Sequence, residues 1–350
     1  MTISNVPIPS FIHFGIEGAI LVGTFKGKCM VYSTLTNLVL GVVYEDPSNR
    51  HIVALGELQD ESESSSFRKF WVHFRCDAVE IFKLVEEDSE KGTKFEKIRT
   101  ISTGHYGFAK AFFDTKRQRM IIPDSMNTDN VIKLRYENGG ETCFAISTEY
   151  LQKNLIKLSP DCQNMQISDL FKGVLMGIEP IEDSPHDRLF LGLEESILVF
   201  DLRMKKVVTC FKHAKFNNIL TFRSNFYRFE NLTRIVISVV GRLFSLIYQD
   251  ETLKLDKLLK NTKKIEVDCN TLSFSPQGNL LACGYTNGRV EIYAVPEFTQ
   301  CYTTLDYQET SIYSLNWICF EHRSENLPEE KKSSLCIGSE DGKLSLYNIG

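Results

Sequence analysis

Seven short hairpins recur along this 350-residue chain, each a pair of apolar, β-rich runs around a tight turn. The clearest lie near the C-terminal end. TLSFSPQGNLLACGYTNGRVEIY (271–293) reads strand, turn, small-residue strand, turn, strand, and LCIGSEDGKLSLYN (335–348) repeats its second half. Comparable hairpins occur at 23–33, 71–84, 127–136, 189–200 and 237–248. Their turn centres fall near residues 27, 77, 130, 195, 241, 288 and 342, so successive copies are 46 to 65 residues apart. That interval is too long for a stacked solenoid and suits one four-stranded sheet per copy, arranged radially. The expected fold is all-β: a seven-bladed β-propeller of four-stranded antiparallel blades, with residues 1–350 as one domain.

Asn287-Gly288 and Asp341-Gly342 are expected to form two-residue type I′ turns, which need positive φ at both positions. Acidic, serine-rich stretches near 56–66, 86–94 and 325–334 read as solvated loops. An irregular insertion is expected near 137–173, with a fourth strand plus extra chain or a short helix at 148–158, and blade boundaries stay open across 85–190. The last repeat stops at its third strand, Leu344–Asn348. Its fourth strand comes from residues 2–8 or from a partner. Self-closure is favoured because an unpaired edge invites aggregation, although Pro7 and Pro9 interrupt a ladder.

GSEDGKLSLYN and LSFSPQGNLLACGYTNGRVEIY resemble the middle strands of WD-repeat blades, and Gly104-His105 in STGHYGFAKAFF resembles the Gly-His that precedes a blade's first strand in that family. The resemblance is strong over the last quarter of the chain and rests on spacing elsewhere. The family's Trp-Asp is replaced by Tyr32-Ser33, Phe82-Lys83, Phe200-Asp201, Tyr293-Ala294 and Tyr347-Asn348, of which only Phe200-Asp201 keeps the acid. Cohesion between blades is therefore expected to rest on aromatic and aliphatic packing. Phe200-Asp201-Leu202-Arg203 resembles the aromatic-Asp-x-Arg signature through which many WD-repeat substrate receptors dock onto the adaptor of a cullin-type ubiquitin ligase. The resemblance makes Phe200, Asp201 and Arg203 candidate partner-binding residues. Gly104, His105, Asn287, Gly288, Asp341 and Gly342 are expected to be structural turn residues.

A formal net charge of -5 and a pI near 5.9 give no overall drive toward nucleic acid, so direct nucleic-acid binding is not expected. The ten cysteines stand singly, without zinc-finger spacing, and the seven histidines form no i, i+2 or i, i+4 pair. No GxSxG, HExxH, GxGxxG or GxxxxGK[ST] string occurs. Neither catalytic residues nor a metal or cofactor are expected. The basic stretch Lys257–Lys264 lacks interleaved aromatics and reads as a solvated inter-blade loop. Arg223 and Arg228 are separated, unlike the adjacent arginines of the Phe-Arg-Arg-Gly motif in propellers that bind lipid headgroups. Trp71 and Trp317 sit in alternating strand patterns and are expected in the core. The sequence shows neither a signal-peptide pattern at its start nor an apolar run of roughly 20 residues that would span a bilayer, so a cytoplasmic or nuclear location is expected. The favoured function is a non-catalytic scaffold in a stable complex with other proteins. The alternatives are a ubiquitin-ligase substrate receptor docking through Phe200–Arg203, and a propeller enzyme with a site in the central channel.

Overall fold

The computed structural model describes residues 8, 10–13, 18–58, 69–86, 93–103, 108–123, 131–137, 141–154, 157–158, 162–170, 173–181, 187–261, 267–298, 301–306, 309–321 and 331–348. These residues form seven sheets in chain order. The first holds β1 (Ser10–His13), β2 (Ala19–Gly23), β3 (Lys28–Ser33) and β4 (Leu38–Glu45). The second holds β5 (Ile52–Leu58), β6 (Lys69–Phe74), β7 (Ala78–Glu86) and β8 (Thr93–Ser102). The third holds β9 (Phe112–Asp114), β10 (Arg119–Pro123), β11 (Val131–Glu137) and β12 (Glu141–Ser147).

An insertion follows: helix α1 (Thr148–Asn154), β13 (Lys157–Leu158) and helix α2 (Ile167–Leu170). The fourth sheet then runs β14 (Gly177–Pro180), β15 (Arg188–Gly192), β16 (Ser196–Asp201) and β17 (Lys206–Lys212), with β13 parallel to β17 on its outer edge. The fifth holds β18 (Ile219–Tyr227), β19 (Leu232–Val239), β20 (Arg242–Gln249) and β21 (Thr252–Asn261), and the sixth β22 (Cys269–Phe274), β23 (Leu280–Tyr285), β24 (Val290–Ala294) and β25 (Cys301–Leu305). Three described strands, β26 (Ile312–Glu321), β27 (Lys331–Ser339) and β28 (Leu344–Asn348), make the seventh.

The first strands of neighbouring sheets lie beside one another, β1 with β5, β5 with β9, β14 with β18, β18 with β22, β22 with β26, and β26 with β1. The sheets therefore form a closed ring with their first strands innermost: a β-propeller. Seven buried apolar clusters fill the seven joints between consecutive sheets, including the joint from the seventh back to the first. Each second strand is covered on both sides, which explains its near-continuous apolar run: AILVG in β2, RLFLG in β15 and LTRIVISV in β19 are buried throughout. Outer strands have one side free, and β4 accordingly alternates between exposed and half-buried positions. Each buried Phe, Leu or Ile contributes about 1.5–3 kcal/mol.

The joint between the last and first sheets is built like its neighbours. Ile52 packs against Gly23, Ile312 against Gly284 and Ile8 against Gly338, and all three isoleucines are fully buried. The Ile8 amide donates to the Ser339 carbonyl (3.2 Å), and Ser314 Oγ donates to the Ile8 carbonyl (2.7 Å). Residues 2–7 of the expected closing segment lie outside the described residues.

Antiparallel order puts the second-to-third turns and the links between sheets on one face of the ring, here the link face. The first-to-second and third-to-fourth turns lie on the opposite face. On the link face Thr24–Lys28, Tyr285–Arg289 and Ser339–Lys343 share one turn. The first residue's amide bonds the last one's carbonyl, and the glycine amide bonds back to the first residue's carbonyl. Only Gly27, Gly288 and Gly342 have positive φ (70°, 82° and 77°); Asn287 and Asp341 do not. The type I′ expectation is corrected: these are type I turns closed by a left-handed glycine, a longer loop that the Asn-Gly pair does not distinguish by itself.

The 137–173 segment holds the expected fourth strand, β12, and the insertion, with helices at 148–154 and 167–170. Two other expectations change. Lys257–Asn261 belongs to outer strand β21 and not to a loop, because alternation with Leu253, Leu255 and Leu259 fits a strand; residues 262–264 of this stretch fall outside the described residues. The ends of the acidic stretches are strand as well: Gly56–Leu58 in β5, Glu86 in β7, Thr93 and Lys94 in β8, and Lys331–Ser334 in β27. Trp71 and Trp317 are buried, and Trp317 Nε1 bonds the Ser273 carbonyl of the sixth sheet (3.1 Å).

Candidate partner-binding surface

On the opposite face the joints of the third to fifth sheets are ionic. Arg119, the first residue of β10, reaches Asp187 of the fourth sheet (2.6 Å) and Asp114 of its own (3.1 Å). Arg188, the first residue of β15, bonds Asp201 (3.3 Å), Tyr248 Oη (2.8 Å) and Glu251, the last two in the fifth sheet. Arg234 bonds Ser245 Oγ (3.0 Å) and Asp256, with Phe298 of the sixth sheet 5.8 Å from its guanidinium. Burial opposes the charge of Arg188, but bonds to Glu251 and Tyr248 outweigh it and raise its pKa. Aromatic and aliphatic clusters fill these joints as expected, and paired buried charges join the sheets in addition.

This network sets the Phe200–Arg203 geometry. Phe200 is buried in the joint with the third sheet. Asp201 is also buried; one carboxylate oxygen takes Arg188 Nε and the other the Met204 amide (2.8 Å). That second bond folds residues 202–205 into a turn, completed by Lys205 in the left-handed region (φ 53°). Arg203 and Met204 are turned outward, Met204 at 53% exposure. Arg203 makes no hydrogen bond or ion pair among the described residues. Of the three candidate residues, Arg203 alone meets solvent.

The neighbouring first-to-second turn of the fifth sheet, Arg228–Asn231, lies on the same face. Phe229 at its tip is fully exposed (104%) between Arg228 and Glu230. A Phe held entirely in water gains nothing from folding, and Phe, Met and Arg are side chains enriched at protein interfaces. Sequence reading missed Phe229. The available signal was a large apolar residue inside an otherwise polar turn, Arg-Phe-Glu-Asn, after the strand alternation ends.

The other sequence candidates are dispersed. Asn287 and Gly288 lie in the turn between β23 and β24, and Asp341 and Gly342 in that between β27 and β28, both on the link face. Asp341 accepts Ser339 Oγ (2.5 Å) and pairs with Lys343 (2.8 Å). Burial raises its pKa, but the bonds from Lys343 and Ser339 prevail and bring it down to about 2. Gly104 and His105 lie outside the described residues. Among the described residues no group of three or more His, Cys, Asp or Glu side chains is placed to hold a metal ion. No described helix is long and apolar enough to cross a membrane.

Residues 232–320 match the sequence profile of the anaphase-promoting complex subunit 4 WD40 domain. No curated protein sequence matches the chain. Among solved structures it is similar to Chaetomium thermophilum Raptor, with a TM-score of 0.68 and 13% identity over 99% of this chain and 28% of the other. It is also similar to the β-propeller domain of Myceliophteria thermophila Cps50 (Swd1), with a TM-score of 0.65 and 14% identity over 100% and 99% of the two chains. At these identities the likeness is one of fold.

Proposed function

Because the chain is a divergent WD-repeat β-propeller, we propose that it is a non-catalytic scaffold subunit of a multiprotein complex. It holds a protein partner on its opposite face through Phe229, Met204 and Arg203. The carrying observation is the fully exposed Phe229 on the same face as Arg203 and Met204 in the adjacent sheet. The matched profile, that of a complex subunit, supports the same reading. The test is co-purification from native extract. The wild type retains a stable partner, and the double variant Phe229→Ala, Arg203→Ala loses it while melting normally. Elution of the wild type alone contradicts the reading.

A second reading rests on Arg203 alone. Asp201 fixes the turn that presents it, as the aromatic-Asp-x-Arg resemblance requires of a ubiquitin-ligase receptor. In that case the purified adaptor binds the wild type and the Phe229→Ala variant but not Arg203→Ala. Equal adaptor binding by Arg203→Ala eliminates this reading and leaves the scaffold intact.

A further inference from the structure

A propeller turns the outer edge of each sheet toward water, and the sheets of this chain protect that edge unequally. The edge of β17 is covered by the inserted β13. β8 carries exposed Glu96, Lys97 and Arg99, and β21 exposed Lys254 and Asp256. Such charges keep other strands and apolar surfaces away. β25 is uncharged but short, and its exposed side chains are small apart from Tyr302. β4 has none of these devices. It runs for eight residues with only β3 beside it. From Cys29 to Tyr44 no side chain is charged, and Lys28 and Glu45 at the two ends pair with each other (2.8 Å). A bulge interrupts the pairing of β4, β8, β17, β21 and β25 alike, so bulging does not set β4 apart.

Leu35 in the turn before β4, and Leu38, Leu40 and Val42 along it, are each between 52% and 71% exposed. β8, β21 and β25 expose one large apolar residue each, Ile98, Leu258 and Tyr302. The concentration at β4 is therefore not a general property of outer strands. Leu38 stands opposite Ser33 and Val42 opposite Met30, with Leu40 in the bulge between them. Ser33 and Met30 face opposite sides of the sheet, so apolar side chains flank the edge on both sides. Between them a methyl group on Gly41 would meet nothing within 4 Å, which leaves the backbone open to close approach.

We infer that the rim formed by Leu35, Leu38, Leu40 and Val42 is a docking surface for a second copy of this chain, with β4 lying along β4 around a two-fold axis near Leu40. A two-fold contact requires a patch that suits itself, and an uncharged apolar strip does. Each copy carries -5 overall, and here two copies meet without bringing like charges together. The nearest charges, on β8, are of both signs, and Lys97 is held by Glu80 (3.4 Å). The four side chains present about 400 Å² of apolar surface per copy, the size of patch that marks an interaction site. Two copies together, with exposed Thr36 and Asn37 beside the leucines, approach the roughly 1,000 Å² that a specific interface needs. The first sheet lies across the ring from the fourth and fifth, so the dimer holds two Phe229 surfaces at its far ends. A partner with two matching segments then gains avidity, a consequence that alone rests on the reading proposed above.

Analytical ultracentrifugation of the full chain over a dilution series tests this. The wild type is expected to form a reversible dimer that dissociates in the micromolar range and persists in high salt, because the contact is apolar. Leu40→Lys and Leu38→Lys bring like charges together across the axis and are each expected to weaken the dimer by at least about tenfold. Both side chains already stand in solvent, so the melting of the dilute chain stays that of the wild type. Ile98→Lys and Leu258→Lys leave the dimer unchanged, as does the Phe229→Ala, Arg203→Ala variant, so failure here does not bear on the opposite face. A wild type that sediments as a monomer throughout the series overturns the inference. So does a dimer that high salt dissolves or Leu40→Lys leaves intact, or capture of a different protein from native extract that Leu40→Lys abolishes.

Discussion

Between the third and fifth sheets, buried Arg119 and Arg188 reach carboxylates of the next sheet. Across the seventh, first and second sheets an isoleucine is pressed on a glycine, Ile8 on Gly338 and Ile52 on Gly23, and on the link face Arg50 adds ion pairs to Asp46 and to Asp77 and Glu80 of the second sheet. Both solutions fill a joint, but they tolerate change differently. An apolar joint depends on shape, so small residues are required at fixed places. An ionic joint depends on a partner far away in the chain: Arg119 and Asp187 are 68 residues apart, Arg188 and Glu251 63. The ionic arc is also where Arg203, Met204 and Phe229 are turned into solvent.

The comparison breaks most severely at Arg188. Arg188→Ala leaves Asp201 buried without its cation, and urea denaturation should report a loss of about 3–5 kcal/mol. Arg188→Met paired with Asp201→Asn should lose much less. Equal losses from the two variants would mean the joint is held by packing after all. On the apolar side, a methyl group at Gly338 would stand 2.9 Å from the Ile8 carbonyl and closer still to Ser314 Oγ. Gly338→Ala is therefore expected to cost about 1–3 kcal/mol. Gly41→Ala, whose new methyl would meet nothing within 4 Å, is the control that should barely respond.

A smaller effect belongs to the link-face turn. Asp341→Ala removes the acceptor for Ser339 and the Lys343 pair and should cost about 1 kcal/mol. Because the folded pKa of Asp341 is depressed to about 2, its contribution is present above the ordinary carboxylate pKa and lost as pH falls toward 2. The difference between wild type and Asp341→Ala should shrink over that window in acid unfolding curves.

The same contrast explains what could be read from the residues. LLACGY and LCIGS announce small-residue strands because Gly284 and Gly338 are pressed by isoleucines, a requirement written locally. Arg119 and Arg188 at the heads of apolar strands give no such local signal, since their partners are 63 to 68 residues on. Residues 85–190 resisted division because α1, β13 and α2 are inserted between the third and fourth sheets. Trp71 and Trp317 were legible as core because alternation alone decides it. The turn type was not, because Asn-Gly and Asp-Gly fit more than one loop length. At the candidate surface, the motif drew attention to Arg203, but only the bonds made by Asp201 show which of its residues is free to meet a partner. Phe229 stayed hidden because one residue in a turn leaves no periodic trace.

Crosslinking mass spectrometry on the native assembly with an amine-reactive reagent tests the central claim most directly. Lys116 and Lys205 lie on the opposite face near the ionic arc, Lys26 on the link face, and Lys97 and Lys254 are exposed on outer strands. The account predicts that crosslinks to another protein concentrate at Lys116 and Lys205, and that they disappear in the Phe229→Ala, Arg203→Ala variant. Crosslinks to other proteins only from Lys97 and Lys254, or a pattern unchanged by the double variant, would contradict it.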